Sequence, residues 1–420
     1  MNRSLAVKNR SINTILAFCL LPMTGFATDI YLPSLPTMAS EMQVSVAAIQ
    51  LSIVIFMVSA GVSQLFVGSL LDSFGRRKPV LGALLVFAVA SFLIGGTHSI
   101  YMVYAMRVLQ GVTVAFIAVG KRAYFMDTYS GEELKNYTSL FSIVWATAPI
   151  VAPFLGGYLQ SAFGWASNFY FLGGVVIVLG VLDWWFGGES LKTFYPFKLK
   201  SITKVYSSMV QTADFTLGLV IIALCYAMVV VFNMASPFII EHVFHASPVV
   251  TGYSALVSGG AIMLGGIISK SMLRRPMVPK IPSAIFLQIL VGAAMIGAAK
   301  YSTLYVMMGF VLVVHLVSGF IFNAVFAYCL GRFTGHAGVA SGLTGGGMFV
   351  LSSIFSYGLV GTIPVKNQAL LGLAYLFFAV LMLGAFWVFR RTSAAATAAA
   401  LPVAENAQTD EQVEILADAI

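Results

Sequence analysis

Apolar runs of roughly 18 to 25 residues recur along this chain from Ile15 to Phe389, separated by short clusters of Pro, Gly and charge. A bilayer core is crossed by about 20 helical residues, so each run is long enough to span it. The pattern predicts twelve helices, the first six near 13–32, 46–71, 79–96, 101–124, 137–162 and 165–186. The second six lie near 215–236, 249–269, 281–299, 304–330, 338–363 and 369–389. Between the sets, 187–214 is a polar linker with Lys192, Lys198, Lys200 and Lys204. The reading is therefore an all-α membrane protein: a bundle over 1–186, the linker, a second bundle over 215–391, and a disordered tail over 392–420.

Composition excludes a water-soluble globule. The 420 residues are 59% hydrophobic and 9% charged, too few polar groups to cover a soluble surface. Cys19, Cys225 and Cys329 lie inside apolar runs without metal or disulfide spacing, and read as small core hydrophobes. The formal charge of +8 forms no single patch, which argues against nucleic acid as a partner. The basic residues sit between apolar spans, where topology explains them. With the N-terminus in the cytoplasm, the inner segments collect 20 of the 23 Lys and Arg, leaving Lys300 and Lys366 outside and Arg107 within a span. Both termini are expected in the cytoplasm, and the location expected is a bacterial inner membrane. The first apolar run lacks a small-residue cleavage site and reads as a span, with a signal peptide as the lesser alternative.

Lipid cannot solvate charge, so an ionisable residue deep in a span points to function. Asp29 and Arg107 are the clearest cases. Burial disfavours charge on a carboxyl and a nearby cation favours it, so a conformational change that alters either drives proton binding or release. Asp29 thus fits proton coupling; the alternative is an acid that caps a helix near the interface. Arg107 shares a helix face with Gln110 and Gly111, and its guanidinium is a fixed positive charge. Its alternative is an arginine that snorkels to the surface.

The run GSLLDSFGRRKPVL contains Gly68, Asp72, Gly75, Arg76 and Arg77 between the second and third helices. It resembles the loop signature G-x-L-x-D-x-x-G-R-[RK]-x-x-L of the major facilitator superfamily. Arg107, Gln110 and Gly111 are similar to the R-x-x-Q-G motif of its proton-coupled members. APIVAPFLGGYL, with Pro149, Pro153, Gly156 and Gly157, resembles the antiporter motif G-P-x-x-G-G, Ala152 replacing the first glycine. DIYLPSLP from Asp29 and KRAYFMDTYSGEE from Lys121 are similar to the bicyclomycin and chloramphenicol resistance branch of drug:proton antiporters. By that resemblance Asp29 is the first-helix acid, while Arg122 and Asp127 are inner gate charges; Lys121 departs from the small residue usual there. The second half carries no comparably specific motif.

The resemblance implies two six-helix bundles around a cavity that opens alternately to each side. Candidates for substrate contact are Tyr31, Gln64, Phe141, Trp145, Asn233, Asn323 and Tyr328, polar or aromatic interruptions of the spans, each with interhelix packing as its alternative. An apolar cavity with 19 methionines in the chain suits lipophilic small molecules of varied shape. The expected activity is proton-coupled export of such compounds by a monomer, and the alternative is a dedicated exporter of one metabolite. No G-x-x-x-x-G-K-[ST] loop is present, so no nucleotide cofactor is expected. The histidines His98, His242, His245, His315 and His336 lack the neighbours of a metal site, and no enzyme is expected.

Overall fold

The computed structural model describes residues 10–194, 199–272, 280–333 and 337–417. Arg3, Lys8, Lys198, Arg274, Arg275 and His336 of the sequence argument, and the side chain of Trp145, lie outside the described residues. Every described element is helical. The first half comprises α1 (Arg10–Leu20), α2 (Met23–Asp29), α3 (Leu35–Glu41), α4 (Val46–Phe74), α5 (Arg77–Gly95), α6 (Ile100–Thr128), α7 (Gly131–Ser139), α8 (Phe141–Phe163) and α9 (Ala166–Phe186). After α10 (Leu199–Gln211) in the linker, the second half comprises α11 (Ala213–His242), α12 (Pro248–Ser271), α13 (Lys280–Gly297), α14 (Leu304–Gly331), α15 (Ala337–Thr362) and α16 (Gln368–Ala417).

Among the described residues, 11 stretches are long and apolar enough to cross a membrane, the first being α1 to α3 together, Arg10–Glu41. The 23-residue apolar helix α8 lies beside them. Pro22, Pro33 and Pro36 divide the first stretch because proline removes a backbone donor and collides with the preceding turn. The fifth helix, expected from 137, instead starts at Phe141; the polar segment before it forms the separate helix α7, which buries no residue. The tail expected to be disordered from 392 is helical to Ala417, continuous with α16. Its alanine-rich stretch has the highest intrinsic helix propensity.

One end of the molecule carries Arg76, Arg77, Lys121 and Arg332 and is called the basic end below. There an ion pair and a tyrosine tie the start of each half to a later segment of the same half. In the first half Arg10 Nη2 meets Glu133 Oε2 at 2.6 Å and the guanidinium stacks over Tyr129, whose hydroxyl bonds Thr14. In the second, Asp214 Oδ2 accepts from Tyr328 (2.6 Å) and Arg332 Nε (2.8 Å).

The halves meet along α4 against α15 and α8 against α12. Gly61 and Gly346 make the first contact reciprocal: a Cβ on Gly61 would lie 2.6 Å from Gly346 O, and one on Gly346 would lie 2.5 Å from Gly61 O. Away from the basic end, Gln50 Nε2 donates to Met234 O at 2.8 Å and the hydroxyls of Tyr158 and Tyr253 are 2.9 Å apart. All six ion pairs among the described residues lie within one half. The seam is therefore held by close packing and hydrogen bonds, with no ion pair across it among the described residues, and such contacts break at lower cost than buried ion pairs.

Candidate functional site

Asp29 is the last residue of α2, where the proline breaks end the helix, and it is 3% exposed. Asn233 Nδ2 of α11 approaches its Oδ1 to 3.5 Å from the opposite half. No ion pair to Asp29 exists among the described residues, and Arg107 is within electrostatic reach. Tyr226, two helical turns before Asn233 on the same face of α11, is also within that reach, and its ring centroid lies 5.9 Å from Phe349 on α15. The acid thus sits on the seam, with amide, phenol and aromatic ring supplied by the other half.

Arg107 is fully buried, so it does not snorkel. Its Nη1 donates to Ala27 O (2.8 Å) and Gln110 Oε1 (3.0 Å), and its Nε to Ser52 O (3.3 Å). The guanidinium carbon lies 4.7 Å from the Tyr31 ring centroid and 4.3 Å from that of Phe56. These contacts replace the hydration that the cation has lost. Gln110 in turn donates to Ser91 Oγ at 2.8 Å. Nη2 has no partner. Gly111 lets α6 touch α4, since a Cβ there would lie 2.0 Å from Ser59 Oγ. Arg107 grips the backbone two residues before Asp29 and fixes where the acid can sit.

At the basic end Arg76 bridges Asp72 (2.7 Å) and Asp127 (3.1 Å), and Ser190 Oγ donates to Asp127 at 2.8 Å. Glu189 accepts from the backbone N–H groups of Arg76 and Arg77, at 2.9 to 3.1 Å, where α5 begins. A helix N-terminus favours an anion there. Gly75 has φ +90°, and a Cβ on it would lie 2.7 Å from Glu189 Oε2. Arg77 Nη2 reaches Trp184 O at 2.8 Å. Lys121, a departure from the resembled motif, pairs with Asp183 of α9. Gly68 lies 4.0 Å from Val119, measured from an ideal Cβ position. Arg122, expected as a gate charge with Asp127, makes no hydrogen bond or ion pair among the described residues, and Asp127 is held by Arg76 and Ser190.

Pro149 and Pro153 lie inside α8 without ending it. Its two glycines face different partners: a Cβ on Gly156 would lie 1.6 Å from Ile30 O in the same half, and one on Gly157 would lie 2.7 Å from Pro248 O in the other. α8 is thereby wedged between the Asp29 segment and α12.

Of the expected substrate contacts, Asn233 reaches Asp29 and Gln64 lies at the crossing of α4 and α15 beside Gly345. Others fall elsewhere. Tyr31 is fully buried in the first half, bonded to Ser52 Oγ at 3.0 Å and packed on Phe169. Tyr328 is engaged at the basic end by Asp214. Phe141 joins a ring cluster with Phe18 and Phe125. Asn323 ties α14 to α12 by donating to Gly266 O at 2.8 Å. A polar or aromatic interruption of a span is the same sequence signal for a cavity face and for a helix contact. Tyr226, Glu189 and Asp183 were not singled out from sequence; for Asp183, the carboxyl inside the apolar run 165–186 was the available signal.

The sequence pattern of the Major Facilitator Superfamily matches residues 17–357. Multidrug resistance protein MdtL of Vibrio parahaemolyticus is 26% identical over 83% of this chain and 88% of its own length. The chloramphenicol resistance protein of Pseudomonas aeruginosa is 33% identical over 40% of each chain, so the match spans less than half of that relative. Among solved structures, a bacterial homolog of the human lysosomal transporter Spinster, inward-facing and unoccupied, superposes with a TM-score of 0.69 at 14% identity, covering 91% of this chain and 97% of that one. That likeness concerns the fold.

Proposed function

The chain belongs to the major facilitator superfamily, and from that premise we propose that it is a proton-coupled antiporter exporting lipophilic drugs or other small toxic compounds. The proposal places twelve spans in two six-helix bundles, the basic end and both termini in the cytoplasm, and a monomer in the bacterial inner membrane. It draws its energy from the proton gradient without a nucleotide cofactor. The names of the multidrug and chloramphenicol resistance relatives support the substrate class.

The observation that carries the proton-coupled reading is the place of Asp29: a buried carboxyl on the seam, touched by Asn233 of the other half and held by Arg107 through the backbone of α2. Opening the seam removes the Asn233 amide and admits water, so the two conformations offer this carboxyl different surroundings. Outward-open, Asp29 takes a proton; closure around it and opening at the basic end follow. Release to the cytoplasm accompanies substrate loading, and the return movement expels the substrate. One charge crossing the membrane per cycle supplies about 2.3 kcal/mol per 100 mV, to which the pH gradient adds.

Drug-dependent proton release from inverted vesicles tests this reading. Wild type should release protons when a substrate drug is added, and Asp29→Asn should not. Equal release from both would place the coupling group elsewhere.

A further inference from the structure

Arg122 is half-buried on α6 and has no acceptor among the described residues, although neighbouring cations do. Lys121 meets Asp183 and Arg76 meets Asp127. The faces of α6 around Arg122 are assigned by their contacts. Phe125 packs on Phe18 of α1 and Phe141 of α8, Val119 lies toward Gly68 of α4, and Gly120 faces Val80 of α5. Arg122 falls between the α1/α8 side and the α4 side, the sector turned to the second half. One turn further toward the basic end, Met126 is 58% exposed, so this sector opens there.

The second half's carboxylate at the basic end, Asp214, is already engaged by Tyr328 and Arg332. Between residues 215 and 391 the chain contains a single acid, Glu241, and it lies at the end of α11 remote from the basic end. Arg107 is 15 residues away along α6, about 22 Å at the helical rise, so a small molecule at Arg122 does not touch Asp29. A guanidinium partly withdrawn from water, with unused donors and no acceptor among the described residues, is a site for an anion arriving from outside the chain. Its surroundings are apolar: Met126, Phe125 and Val119.

We propose that Arg122 is the recognition point for an anionic head group on an apolar body, at the cytoplasmic mouth of the cavity. This rests on the transporter reading above and extends its substrate class to acidic and zwitterionic amphiphiles. The head group binds the guanidinium while the apolar body lies toward the seam.

The test uses the full chain in phosphatidylcholine nanodiscs and two dyes with the same aryl body, anionic 8-anilino-1-naphthalenesulfonate and neutral N-phenyl-1-naphthylamine, with empty discs subtracted. Arg122→Gln should weaken the sulfonate dye about tenfold, the scale of one charge-assisted hydrogen bond, and leave the neutral dye within about twofold. Arg122→Lys should retain most of the sulfonate affinity. Equal losses for both dyes, or no loss for either, would overturn the proposal. If Arg122→Gln is not recovered folded, wild type is compared at about 50 and 500 mM KCl, where only the sulfonate dye should weaken; a common response of both dyes overturns it. If the Arg122→Gln effect disappears in discs containing phosphatidylglycerol, the anion site stands and a lipid head group is its occupant. Dye binding is read without proton movement and drug-dependent proton release is read without the dyes, so this proposal and the coupling reading fail separately.

Discussion

Asn233 of α11 places its amide nitrogen 3.5 Å from a carboxylate oxygen of Asp29 at the end of α2, joining the two halves at a buried acid. An amide so placed favours the charged carboxylate when the seam is closed and is lost to it when the seam opens. The contact therefore couples the state of the acid to the position of the halves.

Asn233→Ala should fold and still bind drug, yet release fewer protons per drug added than wild type in inverted vesicles. Asn233→Asp sets two carboxyls against each other, which cannot both ionise cheaply. Drug-driven proton release from that variant should spread over a wider pH range. An unchanged pH profile would remove Asn233 from the coupling step.

Arg107→Lys keeps the charge and loses the planar fork that reaches Ala27, Gln110 and Ser52 together. Drug efflux should fall about tenfold or more, as expected when one or two charged hydrogen bonds are lost. The measurement is the initial efflux rate at matched expression in the membrane.

The glycines of α8 separate stability from conformational balance. Gly156→Ala drives a methyl into Ile30 O within the first half and should lower the thermal unfolding temperature, at a cost of about 3 kcal/mol or more. Gly157→Ala meets Pro248 O across the seam and should push the halves apart. Its stability should change less, while labelling of a cysteine placed at 153 from the extracellular side should rise.

Glu189→Ala leaves the N–H groups of Arg76 and Arg77 without their carboxylate. The expected loss is about 1 to 2 kcal/mol, the scale of a helix cap plus an end charge. Thermal unfolding in detergent measures it, and Glu189→Asp should recover part of the loss.

Asp29 and Arg107 were legible in the sequence because a charge inside an apolar run is rare and costly whatever surrounds it. The GSLLDSFGRRKPVL run was legible because its glycines and charges keep fixed spacing within one turn. Glu189 was not, since its meaning depends on a loop more than a hundred residues away. Tyr31 and Tyr328 drew attention as aromatic interruptions, yet one fills the core of the first half and the other bonds Asp214.

The sequence alone determined a helical membrane chain in two halves, since apolar length and the spacing of basic residues are local quantities set by the bilayer. The tertiary structure decided which face of each helix meets the seam, and with it that Asn233 touches Asp29, that Gly156 and Gly157 serve different halves, and that Arg122 has no partner among the described residues. Helical phase about a bundle is fixed by packing against other helices, and no single run of residues contains that information.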